Sequence, residues 1–229
     1  LLLLPPSMPS SVNTFMGLPL LLGHRGARAS RQIPENTLAS FELCLQHGCD
    51  GFECDVRRSS DGEVLICHDA SVGRVSIAGA TAKSLALPAL EDVLRQFAHR
   101  AFLDIELKIA GVEEQTIALL RKFPTPKGYV VSSFLPDVLQ AIHELDPVIP
   151  LGFLCESKGQ LRGWKESPSE WVIPNFKLLN NELVELVHAA GKRIMVWTVN
   201  RAASMHELAA WGVDAIISDQ TELLNRSLR

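Results

Sequence analysis

Along Leu103-Asp104-Ile105-Glu106-Leu107-Lys108-Ile109 the charged residues occupy every second position. Read as a strand, this puts Asp104, Glu106 and Lys108 on one face and the apolar side chains on the other. If the apolar face packs on helices, the three charges point into a sheet interior, where charges survive only when paired or bound to a metal. An Asp–Lys or Glu–Lys pair satisfied within the strand is the simpler alternative. Glu53 and Asp55 repeat the pattern, with Phe52, Cys54 and Val56 on the opposite face, and such alternate carboxylates stand about 7 Å apart along a strand. With Glu106 they form an all-oxygen set, which hard divalent ions such as Mg2+ or Ca2+ prefer and zinc does not. A solvated charged rim is the plainer reading. In His24-Arg25-Gly26, Gly26 lets the chain turn, Arg25 offers a planar fork for phosphate oxygens, and His24 can move protons near neutral pH. One histidine at a strand end is commonly structural. Two of them, His24 and His68, converging on one carboxylate cluster point to acid–base work. His47, His99, His143, His188 and His206 fall in helical stretches and read as surface or packing residues.

The elements that must hold these groups are legible as an alternation. Strand-like runs are Leu18–His24, Gly51–Arg57, Phe102–Ile109, Tyr129–Phe134, Ile149–Leu154, Trp171–Phe176, Arg193–Asn200 and Asp214–Asp219. Between them Leu38, Phe41 and Leu45 recur at helical spacing, started by Pro34–Thr37 and stopped at Gly48; Leu90, Val93, Leu94 and Phe97 do the same. So do Leu183, Leu186, Val187 and Ala190, ending at Gly191, while the stretch from Leu154 to Trp171 is the weakest helix. Eight strands with crossover helices predict a single closed parallel (β/α)8 TIM barrel, with the charged groups at its C-terminal face. A doubly wound open sheet competes, but no glycine-rich dinucleotide fingerprint follows the first strand. After the second strand the chain is too short for a crossover. Asp61-Gly62 predicts a two-residue hairpin there, setting Val64 near Ser59, Ile66 near Arg57 and His68 near Asp55 without adding a ninth barrel strand.

The 229 residues are 47% hydrophobic and 21% charged, enough apolar material for a sizeable core and too much for a disordered chain. A net charge of −4 offers nucleic acid or an anionic membrane no general attraction, so an anionic small molecule must be held by local cations. Cys44, Cys49, Cys54, Cys67 and Cys155 are odd in number and lack C-x-x-C spacing, which fits reduced core thiols and a cytoplasmic location. No apolar run reaches membrane-spanning length, and Leu1–Leu4, broken by Pro5 and Pro6 without a basic flank, makes a poor signal peptide. Residues 1–16 read as an N-terminal tail, with Met8 or Met16 as candidate starts, and residues 17–229 as the barrel.

Taken in order, His24-Arg25-Gly26, Pro34-Glu35-Asn36-Thr37, Glu53-Cys54-Asp55, His68-Asp69, Glu106-Leu107-Lys108, Ser133-Phe134, Val196-Trp197-Thr198-Val199-Asn200 and Gly212 to Asp219 resemble the glycerophosphodiester phosphodiesterase family. The resemblance spans nearly all of residues 18–225. It implies a barrel, one divalent ion (Mg2+ or Ca2+) on Glu53, Asp55 and Glu106, and His24 and His68 as acid and base. It further implies phosphate binding by Arg25 and Lys108 and a supporting acid at Glu35. Asn36 is a further supporting candidate, and Trp197, near the top of the seventh strand, is a candidate wall for the glycerol moiety, a Trp packed between barrel and helix being the alternative. Members cut a small-molecule glycerophosphodiester to glycerol 3-phosphate and an alcohol; by likeness to related enzymes, the neighbouring glycerol hydroxyl attacks first and gives a cyclic phosphate. Two departures stand out. Seven residues, Ala27–Ile33, separate Gly26 from Pro34 and carry Arg28 and Arg31, and only 18 residues precede Pro88 after His68-Asp69 where many members carry a longer cover. The short segment predicts an open cleft. A phospholipase D-like, sphingomyelinase D-like or lysophospholipid phosphodiesterase, a catalytically silent barrel and a metal-dependent sugar isomerase are the alternatives; head group, choice of ion and oligomeric state stay open.

Overall fold

The computed structural model describes residues 17–229, so the expected tail over 1–16 lies outside the described residues. Eight parallel strands close on themselves: β1 (Leu20–Gly23), β2 (Gly51–Arg58), β6 (Phe102–Leu107), β7 (Tyr129–Ser133), β8 (Leu151–Cys155), β9 (Trp171–Pro174), β10 (Arg193–Val196) and β11 (Ala215–Ser218). The ring is shut where β1 pairs with β11 on one side and with β2 on the other. Every expected strand is present, and the TIM barrel is the fold. Helices α1 (Leu38–Gln46), α3 (Leu90–Phe97), α4 (Glu113–Lys122), α5 (Pro136–Leu145), α7 (Asn181–Ala189), α8 (Ala202–Ala210) and α9 (Thr221–Leu228) cover the outside. Between β8 and β9 the crossover shrinks to a four-residue helix α6 (Lys158–Leu161) and a 3-10 turn, where the helical periodicity is weakest.

Local chemistry explains the boundaries. Thr37 caps α1 by accepting from the Ser40 N–H, and Gly48, at φ +85°, ends it in the left-handed region. In α3 all four of Leu90, Val93, Leu94 and Phe97 are buried, as their spacing predicts. In α7 the face differs from expectation. Val184 and Val187 are buried and Leu186 is half exposed, because Leu186 lies roughly 200° around the helix from Val184. Outside the barrel, Phe41 and Phe52 stack at 4.1 Å and Phe97 packs edge-on at 5.2 Å from Phe52, locking α1 and α3 onto β2.

Inside, the floor is apolar: Leu22, Phe102, Val130, Trp171, Met195 and Ala215 fill one cluster. Gly51 is the small residue that admits the wide one. A Cβ there would lie 1.8 Å from the Phe102 carbonyl oxygen, so no side chain fits. Above this floor, inward positions change character to Glu53, Asp55, Asp104 and Glu106, all buried.

The hairpin after β2 is real, but its register is one residue from that expected. Strand β3 (Val64–Ile66) pairs antiparallel with β2 through Val56↔Ile66, Arg57↔Leu65 and Arg58↔Val64. The connection has three residues rather than two: Ser59 N donates to Glu63 O, Gly62 N donates to Ser59 O, and Gly62 takes φ +91°. That is a turn closed by a left-handed glycine, the next commonest hairpin connection. Asp61 is held by Ser59 Oγ at 2.6 Å and by the Ala82 N–H, so it anchors the loop instead of sitting at a two-residue tip. Cys67, not His68, is thereby opposite Asp55, with Cys67 N on Asp55 O at 2.9 Å. The following segment forms a small ribbon, β4 (Ser71–Val72) with β5 (Val75–Ser76), and the short helix α2 (Ala82–Leu85). Ser60 N bonds Ala80 O, so this segment lies against the hairpin.

Gly51→Ala is expected to destabilise the barrel by at least about 1–3 kcal/mol through overpacking against Phe102. Urea unfolding of variant and parent reads this as a lower midpoint at unchanged slope.

Candidate active site

Strand pairing brings the acidic residues together before any side chain chooses a rotamer. β2 and β6 run parallel in the register Glu53↔Asp104 and Asp55↔Glu106, so two carboxylates from each strand face the barrel axis side by side. One oxygen from each of Glu53, Asp55 and Glu106 lies within 4.8 Å of the others. Glu53 Oε1, Asp55 Oδ1 and Asp104 Oδ2 are buried without a hydrogen-bond partner among the described residues. Glu106 Oε1 has the Lys108 ammonium at 2.7 Å as an ion pair, and the same ammonium stands 3.4 Å from Asp55 Oδ1. Carboxylate oxygens converging from three buried residues are the type of donor that a hard divalent cation prefers. Asp104 stands outside this group of three, and its Oδ1 accepts from Ser132 Oγ at 2.5 Å.

The loop leaving β1 supplies the positive side. Arg25 and Gly26 take φ +51° and +82°, and a Cβ at Gly26 would press within 2.5–2.8 Å of Ser40. The left-handed geometry at Arg25, uncommon for a residue with a side chain, turns its N–H onto Glu53 Oε2 at 2.9 Å. Its guanidinium reaches Glu35 Oε1 at 2.7 Å and lies 3.3 Å from Asp55 Oδ2. Asn36, also left-handed at φ +55°, donates from its side chain to Asp55 Oδ2 at 2.8 Å.

Both histidines are held the same way. His24 Nδ1 meets Asp219 Oδ1 at 2.7 Å, and His68 Nδ1 meets Asp69 Oδ1 at 2.7 Å. An ionised carboxylate only accepts, so each ring carries its proton on Nδ1 and presents Nε2 outward. His24 Nε2 lies 4.0 Å from Glu53 Oε2. The His24 pair is largely enclosed, whereas Asp69 is exposed.

Burial sets the ionisation. Desolvation, then the neighbouring Asp55 and Glu106 charges, raises the Glu53 carboxyl well above its ordinary value. Asp104 is pushed up to about 7, chiefly by burial. Glu106 is likewise pushed up to about 7, by burial and then by the Asp55 charge. Lys108 is held above its usual range: burial works against its charge, but Glu106 and Asp55 outweigh it. At Asp219 burial also opposes ionisation, yet the His24, Asn200 and Arg28 contacts bring it down to about 2.

His24, Arg25, Glu53, Glu106, Lys108 and His68 line one cavity of about 320 Å³ at the C-terminal mouth of the barrel. Trp197 and Phe134 form its apolar wall, their rings edge-on at 5.6 Å, with Trp197 Nε1 tied to Ile173 O. Trp197 thus faces the cavity. Glu35 and Asn36 stand behind it as holders of Arg25 and Asp55. No residue of 70–87 lines the cavity, in keeping with an open cleft. The motif reading gave no role to Asp219, Asn200 or Glu156. Asp219 follows the last strand at the same barrel end as His24, but only the closing register Gly23↔Ser218 makes them neighbours. Glu156, just past β8, lines the mouth with no periodic signal to mark it.

A parallel barrel with acids, cations and two imidazoles gathered at its C-terminal mouth is the frame of a TIM-barrel enzyme. The chain belongs to the glycerophosphoryl diester phosphodiesterase family, whose sequence profile matches residues 24–100 and 82–223. It is 28% identical over 253 residues to a glycerophosphodiester phosphodiesterase of Bacillus subtilis (strain 168), covering 90% of this chain and 85% of that one. It is also 28% identical over 240 residues to one of Caldanaerobacter subterraneus subsp. tengcongensis, covering 92% and 98%. Among solved structures, that of a phosphodiesterase from Oleispira antarctica in complex with the product sn-glycerol-3-phosphate superposes with a TM-score of 0.79 at 26% identity, covering 92% of this chain and 96% of that one. The structure of a glycerophosphodiester phosphodiesterase from Thermotoga maritima superposes with a TM-score of 0.80 at 24% identity, covering 91% of this chain and 97% of that one.

The raised carboxyls carry a stability signature. Between roughly pH 4 and pH 7 the folded chain holds protons that the unfolded chain releases, so stability falls as pH rises through that window. Stripped of divalent ions, the protein is expected to show a melting temperature that declines from about pH 5 to pH 7.5. Glu106→Gln should flatten the decline, and Mg2+ or Ca2+ should raise the melting temperature most at the high-pH end. Scanning calorimetry across pH reads all three.

Proposed function

We propose that this protein hydrolyses glycerophosphodiesters to glycerol 3-phosphate and an alcohol, using one divalent ion, Mg2+ or Ca2+, and the two histidines. The observation that carries the reading is the gathering of one oxygen each from buried Glu53, Asp55 and Glu106 within 4.8 Å, in a cavity that Arg25, Lys108, His24 and His68 also line. Those three residues would hold the ion, which when bound supplies a Lewis acid for the phosphoryl oxygens. The Arg25 guanidinium and the Lys108 ammonium bind the phosphate and offset the charge that builds on it in the transition state. Trp197 and Phe134 seat the carbon skeleton of the glycerol and keep water from that side of the cavity. One imidazole takes the proton of the attacking hydroxyl through Nε2, while the other, protonated, gives its proton to the leaving alkoxide. Asp219 and Asp69 keep both rings aimed and stabilise the imidazolium form. The neighbouring glycerol hydroxyl is the first nucleophile, giving a cyclic phosphate that water then opens.

The named relatives and the glycerol-3-phosphate bound to the Oleispira protein support this substrate class. Among the described residues no helix is long and apolar enough to cross a membrane. The five unpaired thiols suit a reducing, cytoplasmic setting, although Cys67 is only half buried.

Product analysis on a panel of glycerophosphodiesters and lysophospholipids, with chelator and with added Mg2+ or Ca2+, tests the proposal. Glycerol 3-phosphate is expected, with turnover lost on chelation and restored by one of the ions. Full turnover in chelator removes the metal from the reading, and choline phosphate as product replaces it with a different bond cleavage. His24→Ala and His68→Ala should each lower kcat by roughly 10²–10⁴ with little change in melting temperature. The open mouth predicts less than about hundredfold discrimination among head groups, where a single added methylene contact is worth about 10–200-fold.

A further inference from the structure

The loop Ala27–Ile33 carries two arginines that the proposed chemistry leaves unused. Arg31 is exposed and, among the described residues, makes no ion pair. Arg28 differs. Its Nε lies 2.5 Å from Glu35 Oε2, and its Nη1 lies 3.2 Å from Asp219 Oδ1. Glu35 binds Arg25 with its other oxygen, at 2.7 Å. Asp219 Oδ1 is the same oxygen that holds His24 Nδ1, at 2.7 Å. One side chain therefore closes a chain of contacts that runs Arg25–Glu35–Arg28–Asp219–His24. The backbone repeats the connection, because Ala29 N donates to Asp219 O and Asn36 N donates to Arg25 O.

We infer that Arg28 is a positioning residue that couples the phosphate-binding arm at Arg25 to the proton-transfer imidazole at His24; this rests on the hydrolase reading above. Charge and shape both favour it. Glu35 and Asp219 are two carboxylates aimed into one gap, and a planar guanidinium satisfies both at once, which a point charge does not. Arg28 touches neither the cavity nor the carboxylates that would hold the ion, so its influence passes through its two partners. At 39% exposure it contributes little to global stability, since exposed ion pairs are worth little. What it fixes is direction. Without it, the Asp219 carboxylate keeps His24 and Asn200 but loses its side-chain tie to the Ala27–Ile33 loop, and Glu35 keeps only Arg25.

The test is steady-state kinetics on glycerophosphocholine with circular dichroism at the assay temperature, comparing Arg28→Ala, Arg28→Lys and the loop control Arg31→Ala. Arg28→Ala is expected to lower kcat and raise KM, each by roughly 3- to 30-fold, the span of coupling between contacting groups. Arg28→Lys should recover part of this, and Arg31→Ala should stay within about twofold of the parent. Asp219→Asn should act mainly on kcat and Glu35→Gln mainly on KM. Combining either with Arg28→Ala should cost less than the product of the single effects. If Asp219→Asn or Glu35→Gln fails to fold, the kcat and KM pattern of the two Arg28 variants against Arg31→Ala decides alone. Arg28→Ala within twofold of the parent in both constants overturns the inference, as do an equal loss in Arg31→Ala and a loss that only tracks the unfolded fraction. A parent protein inert on every glycerophosphodiester instead overturns the hydrolase reading, and so the two failures are distinct.

Discussion

Four carboxyl groups, Glu53, Asp55, Asp104 and Glu106, stand two by two on neighbouring strands inside the barrel, and they cannot all ionise there unaided. At an effective dielectric of about 20, two charges about 5 Å apart repel by roughly 3 kcal/mol. That is a large share of the total stability of a typical domain. Protonation relieves the repulsion at the low end of the pH range, and a divalent cation held there would relieve it at the high end. The mouth of this barrel is built around that tension.

The neighbouring groups are arranged to answer it without filling the gap. Arg25 gives an N–H to Glu53 and a guanidinium edge to Asp55, which its left-handed backbone makes geometrically available. Asn36 occupies the outer oxygen of Asp55, and Lys108 takes the flank of Glu106. The same Lys108 ammonium stands 3.4 Å from Asp55 Oδ1, and one oxygen of each of Glu53, Asp55 and Glu106 lies within 4.8 Å of the others. A core of well-packed aliphatic residues would be more stable here. The cost is borne because a preorganised charge centre acts on phosphoryl oxygens without rearranging.

The apolar floor makes the charged layer effective. Phe102, Trp171, Met195 and Leu22 fill the barrel below the carboxylates with buried apolar side chains. The outer aromatic lock of Phe41, Phe52 and Phe97 fixes β2, whose inward residues include two of the four acids. Rigid strands carry the acids and a turning loop carries Arg25 and Asn36. Charge placement that must be fixed to a fraction of an ångström is thus given to the sheet.

Much of this was written in residue order. Strict alternation in Leu103–Ile109 and in Gly51–Val56 placed the acids on one face, because a strand has period two whatever surrounds it. The eight apolar runs, the Thr37 start and the Gly48 stop likewise depend on local backbone physics, and the barrel follows from their number and order. Contacts across distant sequence were not legible. The one-residue shift of the hairpin came from Ser59 and Gly62 preferring a three-residue turn, a difference smaller than the Asp61-Gly62 pair can specify. The buried face of α7 was set by which of Val184 and Leu186 meets the sheet. The pairing of Asp219 with His24, 195 positions apart, exists only because β1 and β11 close the ring in the register Gly23↔Ser218. The sequence by itself determined which groups are offered and on which face. Only the closed tertiary structure decided which of them meet, since ring closure, not local preference, sets the distance between the first strand and the last.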